Sequence, residues 1–156
     1  MKPELQLSLQ FADKAHRALL PRHRVARWLR AALGAPAQIA VRIVGADEGR
    51  ALNRDWRGKD KPTNVLSFPS SPEERVASGS LGDLVICAPV VAREAREQGK
   101  KLRAHWAHMV VHGTLHLLDY DHDNVRDARA MEALEVEILR GLGFHDPYRP
   151  LTEQAV

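Results

Sequence analysis

Residues 102–122, LRAHWAHMVVHGTLHLLDYDH, hold five of the eight histidines in this chain of 156 residues. At 3.6 residues per turn, one face of a helix here would carry four imidazoles, those of His105, His108, His112 and His116. The other positions are mostly apolar, and a helix that is apolar nearly all round is buried. A buried imidazole without a partner is costly. The stretch therefore predicts a central buried helix whose histidines share hydrogen-bond partners or a metal ion.

The spacing of three histidines predicts a metal site. His112 and His116 lie one helical turn apart, so their side chains can converge on one cation. His122 can join them only if the helix ends within residues 119–121, where aspartate tolerates left-handed backbone better than most residues. Three protein ligands leave one coordination position open, which is typical of a catalytic metal. The alternative is a closed structural site with an aspartate of that segment as fourth ligand.

The ligand type indicates which metals fit. Three imidazoles suit Zn²⁺, and Ni²⁺, Cu²⁺ and Fe²⁺ accept them as well, so we expect one zinc or another divalent transition metal per chain. His108 and His105 lie one and two turns before the site, and we expect them to be hydrogen-bonded core histidines or supports of the ligands. His16, His23 and His145 are expected at the surface.

A basic segment forms the second candidate site. Residues 54–68, RDWRGKDKPTNVLSF, bring Arg57, Lys59 and Lys61 together between a predicted helix and a predicted strand. Loops at such junctions often carry function, and arginine presents a planar fork suited to phosphate oxygens. The segment predicts substrate binding by these three cations, and a solvated charged turn is the alternative.

The rest of the chain alternates between strand and helix patterns. The sequence predicts strands at about 5–9, 39–44, 64–68 and 83–87, and helices at 22–33, 47–56, 89–98, 102–118 and 124–142. Residues 70–82 are rich in Ser, Pro, Glu and Gly, which predicts an exposed loop. We therefore expect one α+β domain over residues 1–156, with a mixed sheet of four to five strands and about five helices.

Composition narrows the class of protein. With 44% apolar and 28% charged residues, the chain is ordinary for a globular protein and unlike a disordered one. A net charge of +3 permits a nucleic-acid partner without requiring one. Cys87 is the single cysteine, so an intramolecular disulfide is excluded and a buried thiol is expected. Neither a secretory leader nor a membrane span is apparent, which predicts a cytoplasmic protein without a membrane partner.

Three motifs resemble those of one known family. The stretch HGTLHLLDYDH, preceded by HWAHMVV, resembles the signature of the YbeY family of rRNA maturation endoribonucleases. LNRDWRGKDKPTNVLSFP at 52–69 and LGDLVIC at 81–87 are similar to two further motifs of that family, in the same order. The likeness covers roughly residues 39–148. It implies a zinc-bound α+β domain that acts in the cytoplasm at the small ribosomal subunit.

The resemblance also implies roles for single residues. The metal ligands of the family correspond to His112, His116 and His122, and its important arginine corresponds to Arg57. The implied activity is single-strand-specific cleavage in small-subunit rRNA 3′-end maturation and ribosome quality control, with rRNA, the small subunit and its assembly factors as partners. Asp119 departs from the family, which has glycine in this turn. An aspartate there pays a steric cost in left-handed backbone, and a role at the metal stays open for it.

The predicted mechanism joins the two sites. The metal, held by His112, polarises the scissile phosphate, and Arg57 stabilises the charge that develops on it. Gly113 stands where HExxH zinc proteases carry a glutamate base, which argues against peptide hydrolysis. No protein base is evident, so the nucleophile is metal-bound water or the RNA 2′-hydroxyl. Two alternatives stay open: a zinc metallopeptidase and a non-catalytic ribosome assembly factor with a structural metal.

Overall fold

The structure is a computed structural model that describes residues 4–121 and 123–149. Its elements are, in chain order, β1 (Leu5–Phe11), α1 (Arg22–Ala32), β2 (Ala37–Val44), α2 (Ala46–Arg57), β3 (Val65–Pro69), α3 (Pro72–Ser78), β4 (Ser80–Cys87), α4 (Ala88–Glu97), α5 (Leu102–Leu117) and α6 (Val125–Gly141). A single 3₁₀ turn, Arg17–Leu19, precedes α1. Among these residues no helix combines the length and the apolar character needed to cross a membrane.

The four strands form one mixed sheet in the order β1-β2-β4-β3. β1, β2 and β4 run parallel, and β3 runs antiparallel to β4 at the edge of the sheet. Residues alternate between half-buried and exposed along β1, as the alternation of leucines with polar residues predicts. The prediction of an α+β fold with a mixed sheet is confirmed.

The two faces of the sheet bury different sets of side chains. On β4, Leu84 and Ile86 belong to a large core that also includes residues of α1, α5 and α6. Val85 and Cys87 point to the opposite face, where a smaller core packs against Leu52 of α2. The thiol of Cys87 is therefore buried, as predicted. Helix α2 thus lies across the sheet from α5.

Helix α5 is the central element. It contacts α1, α4 and α6 as well as β3 and β4. Between His105 and Leu117, only His112 and His116 are not fully buried. The predicted central buried helix is confirmed, and the two residues that reach its open side are the predicted metal ligands.

The segment 70–82 is not a loop, and this prediction is wrong. It contains α3, whose N-terminus has a capping box: the Ser71 hydroxyl accepts a hydrogen bond from the Glu74 N–H at 3.2 Å, and the Glu74 carboxylate reaches back to Ser71. Gly79 ends the helix in the left-handed conformation. The polar, proline-containing composition concealed a short helix that was specified by its cap.

Glycine at position 82 allows β4 to approach its neighbours closely. Its φ of +146° is rarely adopted by residues with a side chain. A Cβ there would meet the carbonyl oxygen of Phe68 and would lie 2.8 Å from Cδ2 of Leu117 on α5. The position of α5 over β3 and β4 therefore depends on the absence of a side chain at residue 82.

We predict that Gly82→Ala lowers the free energy of unfolding by about 2–4 kcal/mol, because the strained backbone and the clash with Phe68 have no inexpensive relief. Urea denaturation followed by far-UV circular dichroism measures the change. Gly34→Ala is the matched control, since a Cβ at Gly34 meets nothing within 4 Å, and we expect it to stay within about 0.5 kcal/mol of the parent. Equal stability of the two variants would contradict the packing argument.

Candidate metal centre and cleft

A fully buried carboxylate organises the histidines of α5. Glu135, on α6, interacts through Oε2 with Nε2 of His108 at 2.6 Å and through Oε1 with Nδ1 of His112 at 3.0 Å. The hydroxyl of Tyr148 donates to Oε2 at 2.6 Å. Glu135 was not predicted as a site residue from the sequence. It stands between Met131 and Leu139 on the buried stripe of α6, and an acidic residue at such a core position was the available clue.

The charge state of Glu135 fixes the tautomer of His112. Burial raises the pKa of this carboxyl, but hydrogen bonds from His108 and His112 outweigh it, and the pKa falls to about 2. At neutral pH the group is an ionised acceptor, so the ring nitrogens that face it must be donors. Nδ1 of His112 therefore carries a proton, and Nε2 lies on the opposite side of the ring, where it can bind a metal ion when it carries no proton. A carboxylate behind a histidine is a recurrent support of metal ligands.

His112 and His116 converge on the open side of α5. Their Nε2 atoms lie 3.1 Å apart, and both side chains line the same cleft. Two nitrogens at 2.0–2.1 Å from one tetrahedral ion would be separated by about 3.3 Å. The pair therefore has the spacing and the donor chemistry of two ligands of a single metal ion.

A second group of potential ligands shares His112. His108, His112 and Glu135 offer ligand atoms that all lie within 4.8 Å of one another, and this group could hold a metal ion. These atoms are joined by the hydrogen bonds described above, so an ion among them would have to displace the bridging protons. The two candidate positions lie on opposite sides of the His112 ring, one facing Nδ1 and the other facing Nε2.

The helix ends where the sequence predicts. Asp119 has a φ of +72° and is the one non-glycine residue with positive φ in the described part of the chain. The Tyr120 N–H donates to the Leu115 carbonyl at 3.0 Å, and the Asp119 N–H donates to the His116 carbonyl at 3.1 Å. These two bonds form a Schellman motif with aspartate in the place that glycine usually takes. His122 lies outside the described residues, and its role as third ligand stays a prediction.

Arg75 of α3 secures this unusual turn. Its Nη2 donates to the Leu117 carbonyl at 2.9 Å, at the C-terminal end of α5, where a cation also complements the helix dipole. Its Nη1 lies 3.6 Å from a carboxylate oxygen of Asp119, whose side chain is 79% exposed. Asp119, a non-glycine residue with positive φ, is therefore paired with a residue of α3, a helix that was not predicted from the sequence.

The other histidines have structural surroundings. His105 is buried with Nε2 2.9 Å from the Glu94 carboxylate, and His108 is buried against Glu135, so both are hydrogen-bonded core residues as predicted. His23 and His145 are exposed as expected. His16 is not a plain surface residue: it is half-buried, and its Nδ1 accepts a hydrogen bond from the indole N–H of the buried Trp106 at 3.3 Å. No local pattern in the sequence indicates this long-range contact.

The cleft beside α5 brings part of the predicted site together. It has a volume of about 990 Å³ and is bounded by the end of α2, the edge strand β3, the open side of α5 and the start of α6. Arg57 lines it together with His112 and His116. Lys59 and Lys61 are exposed and are not among the described residues that line the cleft.

The loop that follows Arg57 is firmly held. The amide of the buried Asn53 donates to the Lys61 carbonyl at 2.8 Å. The Arg50 guanidinium binds both carboxylate oxygens of Asp60, at 2.8 and 2.9 Å. These contacts fix the end of α2 and therefore the position from which Arg57 reaches into the cleft.

The described residues that line the cleft include more acidic side chains than basic ones. Opposite Arg57, the described lining residues include five acidic ones: Asp119, Asp121, Asp123, Glu132 and Glu135. Arg57 is the one arginine or lysine among the lining residues that the structure describes. Because like charges repel, a cation bound near these carboxylates would favour the entry of a polyanion.

Gly113 leaves no space for a protease-type base. A Cβ at this position would lie 2.9 Å from Cδ2 of Leu84 and 2.9 Å from Cγ2 of Val65. The Ser67 hydroxyl also donates to the Gly113 carbonyl at 3.0 Å, which ties α5 to β3 at this point. A glutamate at this position would force the side chains of Leu84 and Val65 to shift, and this crowding supports the argument against peptide hydrolysis.

Comparison with known proteins establishes the family. The family model described as endoribonuclease YbeY matches residues 6–143. The chain belongs to the YbeY family. Endoribonuclease YbeY of Methylibium petroleiphilum is 60% identical over 94% of this chain and 96% of its own length. Endoribonuclease YbeY of Alkalilimnicola ehrlichii is 55% identical over 97% of this chain and 95% of its own length.

A solved structure supports the fold. The solution structure of TM1509 from Thermotoga maritima matches with a TM-score of 0.56 and 24% identity, over 92% of this chain and 99% of that one. The family match confirms the predicted resemblance to YbeY and the predicted enzyme class, a hydrolase of the endoribonuclease type.

We predict that Glu135→Gln lowers the free energy of unfolding of the metal-free protein by about 3 kcal/mol at pH 7, because one histidine donor loses its charged acceptor in a buried site. The folded-state pKa of about 2 lies below the usual value near 4.3. The extra stability of the parent is therefore complete above about pH 5 and disappears as the pH falls towards 2.

Urea denaturation of both proteins between pH 7 and pH 3 measures this difference. Glu137→Gln is the matched control, since Glu137 is an exposed residue of the same helix and its replacement should change little. A difference between parent and Glu135→Gln that did not shrink on acidification would contradict the assigned charge state.

Proposed function

We propose that this chain is a single-strand-specific, metal-dependent endoribonuclease that acts in small-subunit rRNA 3′-end maturation and ribosome quality control. Membership in the YbeY family supports the activity. The observation that supports the mechanism most strongly is the approach of the Nε2 atoms of His112 and His116 to 3.1 Å, in a cleft that Arg57 also lines. The proposed catalytic domain spans residues 1–156.

The proposed metal position is the Nε2 side of His112. One zinc ion would be held by His112 and His116, with His122 as the expected third ligand; other divalent transition metals accept the same donors. This side opens to the cleft, where a substrate can reach the ion. The opposite side is buried, and its donors are already engaged with Glu135.

Each residue of the cleft then has a definite task. When bound, the ion supplies Lewis-acid stabilisation of negative charge at the scissile phosphate. The fork of Arg57 donates hydrogen bonds to phosphoryl oxygens as charge develops on them. Glu135 keeps the His112 ring in one tautomer and one orientation. Glu135 is engaged by His108 and His112, so it is not available as a general base. The nucleophile is a water molecule or the 2′-hydroxyl of the RNA.

We also propose binding partners and a cellular location for this protein. Lys59 and Lys61, exposed just beyond Arg57, would bind phosphates of the RNA strand as it leaves the cleft. The expected partners are single-stranded rRNA, the small ribosomal subunit and its assembly factors, which implies action in the cytoplasm. The acidic wall opposite Arg57 supports metal dependence, since it would repel RNA without a bound cation.

We predict that Arg57→Ala keeps its fold and one metal ion per chain and loses RNA cleavage by a factor of about 100 or more, because a donor aimed at the developing charge is removed. A single-stranded RNA cleavage assay, metal analysis and thermal unfolding on the same preparations measure these properties. Arg54→Ala is the matched control, since Arg54 is an exposed residue one turn earlier on α2 that is paired with Asp55.

A well-folded Arg57→Ala protein with full activity would remove Arg57 from the mechanism. Parent protein that binds metal but does not cleave RNA would favour the alternative, a ribosome assembly factor with a structural metal. In that case His112→Ala should unfold the domain, and Arg57→Ala should leave function in cells intact.

A further inference from the structure

An exposed tryptophan lies directly beside the proposed catalytic arginine. Trp56, in the last turn of α2, is 60% exposed and lines the cleft next to Arg57. The other two tryptophans, Trp28 and Trp106, are 2% and 0% exposed and belong to the core. An indole contributes most to stability when it is buried, so the exposure of Trp56 at the mouth of a functional cleft requires another explanation.

Phe68 supports the Trp56 ring. The two ring centroids are 4.8 Å apart, and the ring planes are inclined by 59°. Phe68 lies on the edge strand β3 and packs against the smaller core of the sheet. The indole therefore rests on a fixed base, and a ring that is already ordered loses little conformational entropy when a ligand stacks on it.

The surroundings of Trp56 favour a ligand with a flat, uncharged face. The wall of the cleft away from Trp56 is lined by acidic residues. It therefore offers few lysine or arginine side chains that could attract a phosphate group. Stacking of a base on an aromatic ring does not depend on positive charge and contributes about 1–3 kcal/mol per base. In the interior of a double helix both faces of each base are covered by neighbouring bases. A base can therefore stack on the Trp56 indole only when it is unpaired and splayed out.

We propose that Trp56 is a base-stacking residue that binds one unpaired base of the RNA next to the phosphate held by Arg57. This inference rests on the proposed function and adds to it the origin of the preference for single strands. Phe68 acts as the positioning residue for the indole. The edge strand β3 continues the cleft from Trp56 to the histidines, so a base on the indole and a phosphate at the metal site would belong to one strand.

The intrinsic fluorescence of the metal-loaded protein tests the contact directly. Because Trp28 and Trp106 are buried, quenching by a ligand reports on Trp56. We expect saturable quenching by a short single-stranded oligoribonucleotide. An abasic oligonucleotide of equal length and charge, and an RNA duplex of equal length, should quench weakly. Equal quenching by the abasic strand would overturn the proposal, since it would mean that the phosphates alone are bound.

Variants at Trp56 give the second test. We expect Trp56→Leu to weaken the binding of an end-labelled single strand by about ten-fold or more, measured by fluorescence anisotropy, and Trp56→Phe to stay within about three-fold of the parent. Val76→Ala, at an exposed position on α3, is the control. Metal content and melting temperature are measured for every variant. If Trp56→Leu is unstable, Trp56→Phe still decides, because a loss of binding of about ten-fold or more in this stable aromatic variant would overturn the role of the aromatic face.

The remaining outcomes separate this inference from the proposed function. If the parent cleaves RNA and Trp56→Leu cleaves equally at substrate concentrations below saturation, stacking fails and the nuclease stands. If the parent binds and is quenched but cuts no RNA, the nuclease fails and stacking stands. If Trp56→Leu binds RNA normally but no longer associates with small ribosomal subunits, Trp56 is a protein-docking residue and the proposal is overturned.

Discussion

The structure depends on one buried charge. Glu135 of α6 is removed from water, and a carboxylate in that position is tolerated only when donors surround it. His108 and His112, four residues apart on α5, and the hydroxyl of Tyr148 provide them. The same hydrogen bonds that satisfy the carboxylate hold α6 against α5 and orient the His112 ring. The packing of α6 on α5 and the orientation of His112, one of the proposed metal ligands, therefore depend on the same hydrogen bonds.

Backbone features also determine where helix α5 lies and where it ends. Gly82 and Gly113 allow α5 to lie directly on β3 and β4, which sets the depth of the histidines below the edge of the sheet. At the other end, Asp119 ends α5 in left-handed backbone, a conformation that glycine adopts without a steric cost. Arg75 compensates from α3 by binding the last turn of α5 and the Asp119 carboxylate. The one described non-glycine residue with positive φ thus has a charged partner.

Local geometry explains which features the sequence could reveal. The convergence of His112 and His116 follows from helical spacing alone, and the end of α5 follows from residues in its own turn. Glu135 was missed because its role arises from packing between helices that are distant in sequence, which no local period encodes. Helix α3 was missed for a different reason. The polar, proline-containing composition of the segment predicted a loop, although Ser71 and Glu74 have the spacing of a capping box. Arg57 was predicted from the basic segment and from the family resemblance, and the fold adds that Arg57 lines the cleft whereas the lysines that follow do not.

The position of the metal ion relative to the His112 ring tests this account most directly. Anomalous diffraction at the zinc edge, from crystals of the zinc-loaded protein, locates the ion without reference to activity. The account predicts a single peak about 2.0–2.1 Å from the Nε2 atoms of both His112 and His116, with the Glu135 carboxylate still bonded to Nδ1. A peak enclosed by Nδ1 of His112, Nε2 of His108 and Glu135 would contradict it, since the carboxylate would then be a ligand and the ion would be closed off from the cleft.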